Sequence, residues 1–212
     1  MKNGIIIIGA GGHGKVVADI IIQSGEHLLG FLDDNLLKGG LVLGYPVLGG
    51  VDDLCKFRCD HDCDVKFLIG IGNNYLRMQI AQRYDIAWHT AVHPCASVAA
   101  GVDIGEGTVV MANAVINADT FIGKHSIINS GAIVEHDNNI GDFAHISPGA
   151  AIGGSVNIGK FTHIGIGAVV KNNISIASET VIGAGAVVVK NISEPEKGVY
   201  IGVPAVRKKG NG

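Results

Sequence analysis

A histidine between two carboxylates is the clearest candidate for proton-transfer chemistry in this sequence. Glu135, His136 and Asp137 are consecutive residues. A nearby carboxylate raises the basicity of an imidazole and fixes which ring nitrogen carries the proton. Histidine also suits proton removal near neutral pH, because a large share of it is unprotonated there. The triplet therefore predicts a general base at His136.

A second candidate site is the glycine-rich segment near the N-terminus. Gly9-Ala10-Gly11-Gly12-His13-Gly14 follows an apolar run, and the acidic pair Asp33-Asp34 comes about twenty residues later. Glycines let the backbone approach a phosphate at a helix N-terminus, while an acidic side chain accepts hydroxyl protons. The spacing predicts nucleotide binding. Only about ninety residues precede the repeat described below, which leaves room for one mononucleotide-binding half and argues against NAD.

Alternating strands and helices must position this glycine-rich segment. We predict buried strands at Gly4–Ile8, Leu28–Leu32 and Val65–Ile71, and a helix from Lys15 to Ser24. The strands are short apolar runs, and the second and third lead directly into polar or glycine residues. The first ninety residues are therefore predicted to form an α/β, half-Rossmann domain.

A repeat with a period of six must position His136. From Val92 to Val188, every sixth residue is isoleucine or valine. This period fits neither a helix nor a single strand, so it describes a unit that returns to the same environment. We predict a β-solenoid in which each hexad gives one short strand, with its Ile or Val inward, and one bend made by glycine or another small residue. Three hexads form one coil, and coils stack about 4.8 Å apart.

Composition excludes several classes of protein. The 212 residues carry a formal net charge of −3, and they are 47% hydrophobic and 17% charged. The charge argues against binding to nucleic acid, and the apolar content argues against disorder. No apolar run reaches the roughly 20 residues that cross a bilayer, and the N-terminus lacks a secretion signal. We therefore expect a cytoplasmic protein without membrane insertion.

The cysteines allow two interpretations. Cys55, Cys59 and Cys63 are spaced by four residues around His61, as ligands on one helical face would be. Common zinc sites use more closely spaced cysteine pairs. The favoured interpretation is therefore a half-buried helix that uses cysteine as a small apolar residue, and no metal is expected. Together with Cys95, these cysteines would be reduced thiols in the cytoplasm.

The repeat resembles that of the hexapeptide-repeat acyltransferases, whose prism is a left-handed parallel β-helix. With G-A-G-G-H-G, F-L-D-D, I-G-N-N, E-H-D and G-V-P-A in this order, the chain is similar to the PglD/NeuD-type bacterial sugar acyltransferases. The resemblance implies a nucleotide-sugar-binding domain over 1–90, a left-handed β-helix acyltransferase domain over 91–190 and a C-terminal capping tail over 191–212. It also implies a homotrimer whose active sites lie between neighbouring chains, with His136 of one chain near His145 of another.

The same resemblance implies direct transfer of an acetyl group from acetyl-CoA to the 4-amino group of a UDP-linked amino dideoxy sugar of the bacillosamine type. His136 would be the base, and Asp137 the carboxylate that raises its basicity. The implied contacts to the UDP-sugar are Gly11, Gly12, His13, Asp33, Asp34 and Gly72. The implied contacts to acetyl-CoA are His145, Ile166 and Ala184, although the family has glycine at the place of Ala184.

Two other functions fit the same residues. One is O-acetylation of a sialic acid or a polysaccharide precursor, which would use the same base. The other is a non-catalytic module, in which the prism trimerises a nucleotide-binding domain. Substitution of His136 would separate the enzyme from the module, and a panel of acceptors would separate the two enzymes.

Overall fold

The structure, a computed structural model, describes residues 4–57, 65–193 and 198–208. The chain divides into two compact units, Met1–Pro94 and Cys95–Gly212. Cys59, His61 and Cys63 lie outside the described residues, as do 194–197 and 209–212 of the predicted capping tail. In the described part of the chain, no helix has both the length and the apolar character needed to span a bilayer.

The N-terminal unit contains the elements of an α/β domain. In chain order they are β1 (Gly4–Ile8), α1 (Gly12–Gln23), β2 (Leu28–Leu32), β3 (Leu41–Val42), β4 (Tyr45–Gly49), a 3₁₀ helix (Val51–Phe57), β5 (Val65–Ile69), α2 (Asn74–Arg83) and β6 (Ala91–Val92).

The sheet of this unit has the strand order β3-β4-β2-β1-β5. Strand β1 pairs in parallel with both β2 and β5, and β2 pairs in parallel with β4. Ile6 and Ile7 in β1 point to opposite faces, yet both are fully buried, as expected for a parallel sheet covered on both sides. The carboxyl ends of β1, β2 and β5 therefore meet at one edge of the sheet, where the glycine-rich segment and Asp33 follow them.

Strand positions in this unit agree with the predictions, whereas three element ends differ: the end of β5 and both ends of α1, which stops at Gln23 and not at Ser24. Strands β1 and β2 have the predicted bounds, but β5 ends at Ile69, two residues early. Helix α1 starts at Gly12 and not at Lys15, so part of the glycine-rich segment is already helical. Cys55 lies in the 3₁₀ helix and is exposed, so the prediction of a half-buried cysteine is wrong there. In the ranges that the structure describes, no three His, Cys, Asp or Glu side chains gather as a metal site requires.

The C-terminal unit is a three-sided prism of two-residue strands. Its strands are β7 (Ser97–Val98), β8 (Asp103–Ile104), β9 (Val109–Val110), β10 (Val115–Ile116), β11 (Phe121–Ile122), β12 (Ile127–Ile128), β13 (Ile133–Val134), β14 (Asn139–Ile140), β15 (His145–Ile146), β16 (Ala151–Ile152), β17 (Asn157–Ile158), β18 (His163–Ile164), β19 (Val169–Val170), β20 (Ser175–Ile176), β21 (Val181–Ile182) and β22 (Val187–Val188), followed by β23 (Val199–Ile201) and β24 (Val206–Arg207).

Every third strand lies on the same face of the prism. Face 1 contains β7, β10, β13, β16, β19 and β22, and face 2 contains β8, β11, β14, β17 and β20. Face 3 contains β9, β12, β15, β18 and β21, then β23, which pairs antiparallel with β24. Within each face, neighbouring strands are parallel and shifted by one coil, as in Ile128 beside Ile146. The predicted fold class, an α/β domain followed by a parallel β-helix, is confirmed.

The second residue of each strand points into the prism. From Ile116 to Val188 the repeating Ile and Val side chains are at most 2% exposed. Stacked β-branched side chains fill this narrow interior without aromatic residues. The periodic residues of the sequence are therefore the core of the unit, as predicted.

The bends are not made where the sequence suggested. The glycine that follows the inward residue, such as Gly123, has an ordinary φ, but a Cβ there would lie 2.5 Å from the backbone nitrogen of Asp142 in the next coil. The left-handed residue comes two positions later, and it recurs at every sixth residue from Gly101 to Gly185. Several of these residues are not glycine; Asp137 is one of them, with a φ of 57°. The glycines that directly follow the inward residue thus permit close stacking of coils. The left-handed residues two positions later make the bends.

Candidate active site

His136 lies at the corner between face 1 and face 2, in the bend that joins β13 to β14. Its Nδ1 is 2.7 Å from Oδ2 of Asp137, and both side chains are more than half exposed. The left-handed backbone at Asp137 turns its carboxylate back toward the preceding imidazole. Asparagine and aspartate tolerate this conformation better than other side chains that carry a Cβ.

This arrangement makes the imidazole more basic. The hydrogen bond with Asp137 raises the pKa of His136 above its usual 6.5, and the negative charges of Asp137 and Glu135 act in the same direction. Glu135 is itself held by Nδ2 of Asn117, 2.9 Å from Oε2. When Nδ1–H donates a hydrogen bond to the carboxylate, Nε2 carries the lone pair and faces away from Asp137. The pair can therefore remove a proton from a group presented on the outside of the prism.

The imidazole rests on a glycine of the next coil. A Cβ on Gly154 would lie 2.7 Å from Cε1 of His136. Any side chain at this position would push the ring away from its present place. The contact between Gly154 and His136 was not predicted, although Gly154 lies one coil after His136 in a repeat that stacks equivalent residues.

His145 and His163 stack on face 3. Their strands pair in register, and their rings are 4.7 Å apart and nearly parallel. Asn129 contacts Nε2 of His145 at 3.0 Å, and Ser147 contacts Nε2 of His163 at 2.8 Å. Because three hexads of six residues form one coil, the 18-residue spacing of these histidines predicts that they stack, and this is confirmed. Both histidines are the first residue of their strand.

The other predicted contacts to acetyl-CoA lie at a different corner from His136. Ile166 and Ala184 occupy equivalent exposed places in successive coils, at the corner between face 3 and face 1. Face 1 separates that corner from the His136 corner. Within one chain, the prism therefore does not bring His136 together with His145, Ile166 or Ala184.

The N-terminal unit has its own cleft at the carboxyl ends of its strands. The cleft has a volume of about 270 Å³. This edge is where open parallel sheets bind their ligands. Of the predicted contacts, Asp33 and Asp34 line the cleft, whereas Gly11, Gly12, His13 and Gly72 do not. The complete lining is Gly9, Leu32, Asp33, Asp34, Asn35, Val51, Ile71, Leu76, Gln79, Ile80, Arg83 and Tyr84.

The two aspartates organise the loops around this cleft. Asp33 accepts hydrogen bonds from the backbone N–H groups of Ala10 (2.8 Å) and Asn35 (2.9 Å). Asp34 accepts one from Val51 at 2.7 Å. Each carboxylate oxygen has a further lone pair that can accept a ligand hydroxyl. The acidic pair thus fixes the shape of the cleft as well as supplying its negative charge.

The glycine-rich segment ends at an open helix N-terminus. Gly11 is the N-cap of α1, and a Cβ on Gly11 or Gly12 would have no atom within 4 Å. The first N–H groups of a helix lack partners within the helix, and they favour an anion. Close packing explains Gly14 instead, because a Cβ there would lie 2.0 Å from the carbonyl oxygen of Gly9.

A buried arginine that was not among the predicted site residues lies near this segment. Arg77 is 1% exposed and donates to the carbonyl oxygens of Ile71 (3.1 Å) and Gly72 (2.9 Å) and to Oδ1 of Asn74 (2.8 Å). Burial lowers the pKa of Arg77 to about 9. Burial, and then the charge of Arg77, lower the pKa of His13 to about 4. The signal in the sequence was spacing, because Asn74, Arg77 and Ile80 share the buried side of α2.

Comparison with known proteins agrees with this architecture. A model of the PglD N-terminal domain family matches residues 4–84. PerB from Caulobacter crescentus, solved with CoA and GDP-perosamine, is 37% identical with a TM-score of 0.90, and the match covers 98% of each chain. The acetyltransferase domain of PglB from Neisseria gonorrhoeae, solved with acetyl coenzyme A, is 35% identical with a TM-score of 0.89, again over 98% of each chain.

Curated relatives match over shorter stretches. The UDP-N-acetylbacillosamine N-acetyltransferase of Bacillus subtilis is 41% identical over 111 residues, which is 50% of this chain and 49% of that protein. A protein of Acanthamoeba polyphaga mimivirus is 37% identical over 102 residues, which is 20% of its length. The full-length matches to solved structures establish the family. The chain belongs to the PglD-type sugar N-acetyltransferases, in which an α/β domain precedes a hexapeptide-repeat β-helix.

Proposed function

We propose that this protein transfers the acetyl group of acetyl-CoA to the 4-amino group of a UDP-linked amino dideoxy sugar of the bacillosamine type. The observation that carries the proposal is the His136–Asp137 pair, exposed at a corner of the prism with its basicity raised. The relatives support the reaction type, since the Bacillus and Caulobacter proteins are both named as sugar N-acetyltransferases. This favours N-acetylation over O-acetylation and over a module without catalysis.

The reaction needs one base and no covalent enzyme intermediate. The lone pair of the sugar amine attacks the thioester carbonyl carbon, and Nε2 of His136 takes a proton from the amine nitrogen as the tetrahedral adduct forms. The carbon–sulfur bond then breaks, and the proton passes from His136 to the departing CoA sulfur. Positioning supplies much of the rate, because a thioester is already an activated acyl donor.

The N-terminal unit would bind the nucleotide part of the acceptor, the UDP-linked sugar. In the proposal, the diphosphate lies against Gly11 and Gly12 at the N-terminus of α1, near His13 and Gly72. Asp33 and Asp34 face the hydroxyl groups of the ribose or the base. The buried positive charge of Arg77, which binds the carbonyl oxygen of Gly72, would favour an anion at this loop.

We also propose that the active form is a homotrimer. His136 lies at one corner of the prism, while Ile166 and Ala184 lie at another. A neighbouring copy related by threefold symmetry can bring its Ile166 and Ala184 corner to the His136 corner of this chain. His145, Ile166 and Ala184 of that copy would then contact acetyl-CoA beside His136.

The proposal is tested by measuring acetyl transfer by the purified protein, with the release of free CoA thiol as the signal. The acceptor panel contains a UDP-linked 4-amino-4,6-dideoxy sugar, GDP-perosamine, a UDP-hexosamine without a 4-amino group, and free sialic acid. We expect turnover with the first acceptor and an amide product by mass spectrometry. Turnover only with GDP-perosamine would contradict the assignment of UDP as the nucleotide. Turnover only with sialic acid would contradict the assignment of N-acetylation.

The oligomeric state is tested separately. Light scattering should give the mass of three chains. Mixing an inactive His136→Ala protein with an inactive Ile166→Glu protein should restore activity on subunit exchange, because one interface would then contain both intact residues. Failure to complement after demonstrated exchange would contradict the shared site.

A further inference from the structure

Asn138 places a polar amide inside the prism, next to the His136 bend. It is 2% exposed, and it follows Asp137 at the inward end of the bend. The equivalent places in the preceding coil and the next two are Thr120, Val156 and Ile174. A side chain with two donor hydrogens and an acceptor thus stands where the following coils have purely apolar ones. Buried amides destabilise a fold unless their hydrogen bonds are made.

The amide of Asn138 binds two stacked bends at once. Its Nδ2 donates to the carbonyl oxygen of Glu135 in its own bend, and to that of Gly153 in the next coil at 3.1 Å. Its Oδ1 accepts from the backbone N–H of Val156 at 2.8 Å. The two bends that it joins are those of His136 and Gly154.

Other polar side chains at inward places make a simpler connection. The hydroxyl groups of Thr108, Ser126 and Thr162 each donate to a carbonyl oxygen in the next coil. Thr108 also accepts from the backbone N–H of Ser126. A hydroxyl has one hydrogen to donate, so none of these three groups can also donate to its own bend. Asn138 therefore differs by holding its own bend and the next one together, at a Glu135 carbonyl oxygen that also accepts from Thr120 of the preceding coil (2.9 Å).

We propose that Asn138 is a positioning residue that fixes the His136 imidazole over Gly154. The ring is mostly exposed, and it is held from outside by Asp137. Its contact with Gly154 depends on the separation of the two bends, which the backbone hydrogen bond from Ser155 N–H to the carbonyl oxygen of His136 (2.9 Å) and the Asn138 amide set together. A fully satisfied buried network of this kind makes local structure rigid. The inference deepens the proposed function, since it assigns a determinant of the base's position.

The test uses two substitutions that copy residues of neighbouring coils. Asn138→Val, the residue at position 156, removes all three side-chain hydrogen bonds. Asn138→Thr, the residue at position 120, keeps those to Gly153 and Val156 and removes only that to Glu135. We expect kcat to fall at least tenfold in Asn138→Val and about threefold in Asn138→Thr, with both KM values within twofold of the wild type.

An NMR titration of His136 gives a readout besides activity. Loosening the bend should weaken the contact with Asp137, so the pKa of His136 should fall toward its ordinary value in both variants. The control is Thr108→Val, which also removes interior hydrogen bonds, to the carbonyl oxygen of Gly123 and from the N–H of Ser126, but at another corner. It should leave kcat and the His136 titration unchanged.

The results separate this inference from the proposed function. A wild type that acetylates no amino sugar would refute the function, while the His136 titration would still test the role of Asn138. An unchanged titration in both Asn138 variants would overturn the inference, as would an equal loss of kcat in Thr108→Val. If Asn138→Val does not fold, Asn138→Thr decides by the same two measurements.

Discussion

The two units hold their candidate chemistry in opposite ways. In the N-terminal unit, Asp33 and the glycine-rich segment lie in loops after strands, and they are joined by long-range contacts such as Ala10 to Asp33. In the prism, His136 occupies a place that every hexad has, and it differs from its equivalents only in residue type. The comparison teaches that a loop site is specified by which strands are neighbours, whereas a solenoid site is specified by a substitution within a fixed pattern.

Removing the base should give the largest effect. His136→Ala should lower kcat by about a thousandfold, because general base catalysis contributes roughly 10²–10⁴. Binding of the nucleotide to the N-terminal unit should not change. Steady-state kinetics and calorimetric titration with UDP measure the two quantities.

Lys160→Ala is the matched control for that substitution. Lys160 occupies the same place in its hexad at another corner, and it is exposed in an ion pair with Asp142. Exposed pairs contribute about 1 kcal/mol or less, so fold and activity should persist. A His136→Ala protein with kcat within tenfold of the wild type would eliminate the proposed base.

The prism was easier to predict from the sequence than the N-terminal unit, because its structure repeats and that of the loops does not. The period of six placed every inward residue from Ile116 to Val188, because register in a stacked coil is a local property repeated many times. It did not locate the bend, since the left-handed place accepts Asp, Asn, Ser, His, Phe and Glu as well as Gly. The glycines that looked like bends instead mark close contact between coils.

Sequence reasoning reached the N-terminal site only in part. The glycine-rich segment and Asp33-Asp34 have a recognisable spacing, so the sequence could name them as candidates. Arg77 was missed because an arginine in a helix is usually on the solvated face, and burial depends on the loops that pack over it. Asn138 was missed because its role depends on a carbonyl oxygen one coil away, which no short motif contains.

The second prediction concerns this buried charge of the N-terminal unit. Arg77→Met should destabilise that unit by about 3 kcal/mol, because three acceptors lose a charged donor inside the protein. We expect the KM for the nucleotide sugar to rise about tenfold while kcat stays constant. Denaturant unfolding and kinetics measure these effects.

Arg83→Met is the control for stability alone. Arg83 is mostly exposed and pairs with Asp52 at 2.8 Å, so its loss should cost under about 1 kcal/mol. An Arg77→Met protein as stable as Arg83→Met would show that burial of the charge has little importance.

The third prediction separates the two classes of glycine in the prism. Gly123→Ala should destabilise the fold by about 3 kcal/mol, since its Cβ would lie 2.5 Å from the backbone nitrogen of Asp142. Gly149→Ala should cost about 1 kcal/mol, because its φ is +65° but a Cβ there meets no atom within 4 Å. Thermal unfolding of both variants gives the comparison. Equal losses would contradict the assignment of stacking to one class and bending to the other.

The last prediction concerns pH, to which the two units should respond differently. Their histidines are shifted in opposite directions, since the pKa of His136 is raised above 6.5 and that of His13 is lowered to about 4. The base works in its neutral form. As pH falls, kcat should therefore begin to drop above pH 6.5. His13 remains neutral between pH 5 and 7, so the affinity for UDP should stay constant over that range.

Asp137→Asn identifies the cause of that drop. It removes the carboxylate that is the main reason for the raised pKa of His136, so the acid limb of kcat should move to lower pH. The plateau should fall by about tenfold, because a less basic imidazole takes the proton less effectively. Profiles of kcat against pH for the wild type and this variant measure both changes. An acid limb that stays in place would mean that a group other than His136 controls the rate, which would contradict the assignment of the base to this corner of the prism.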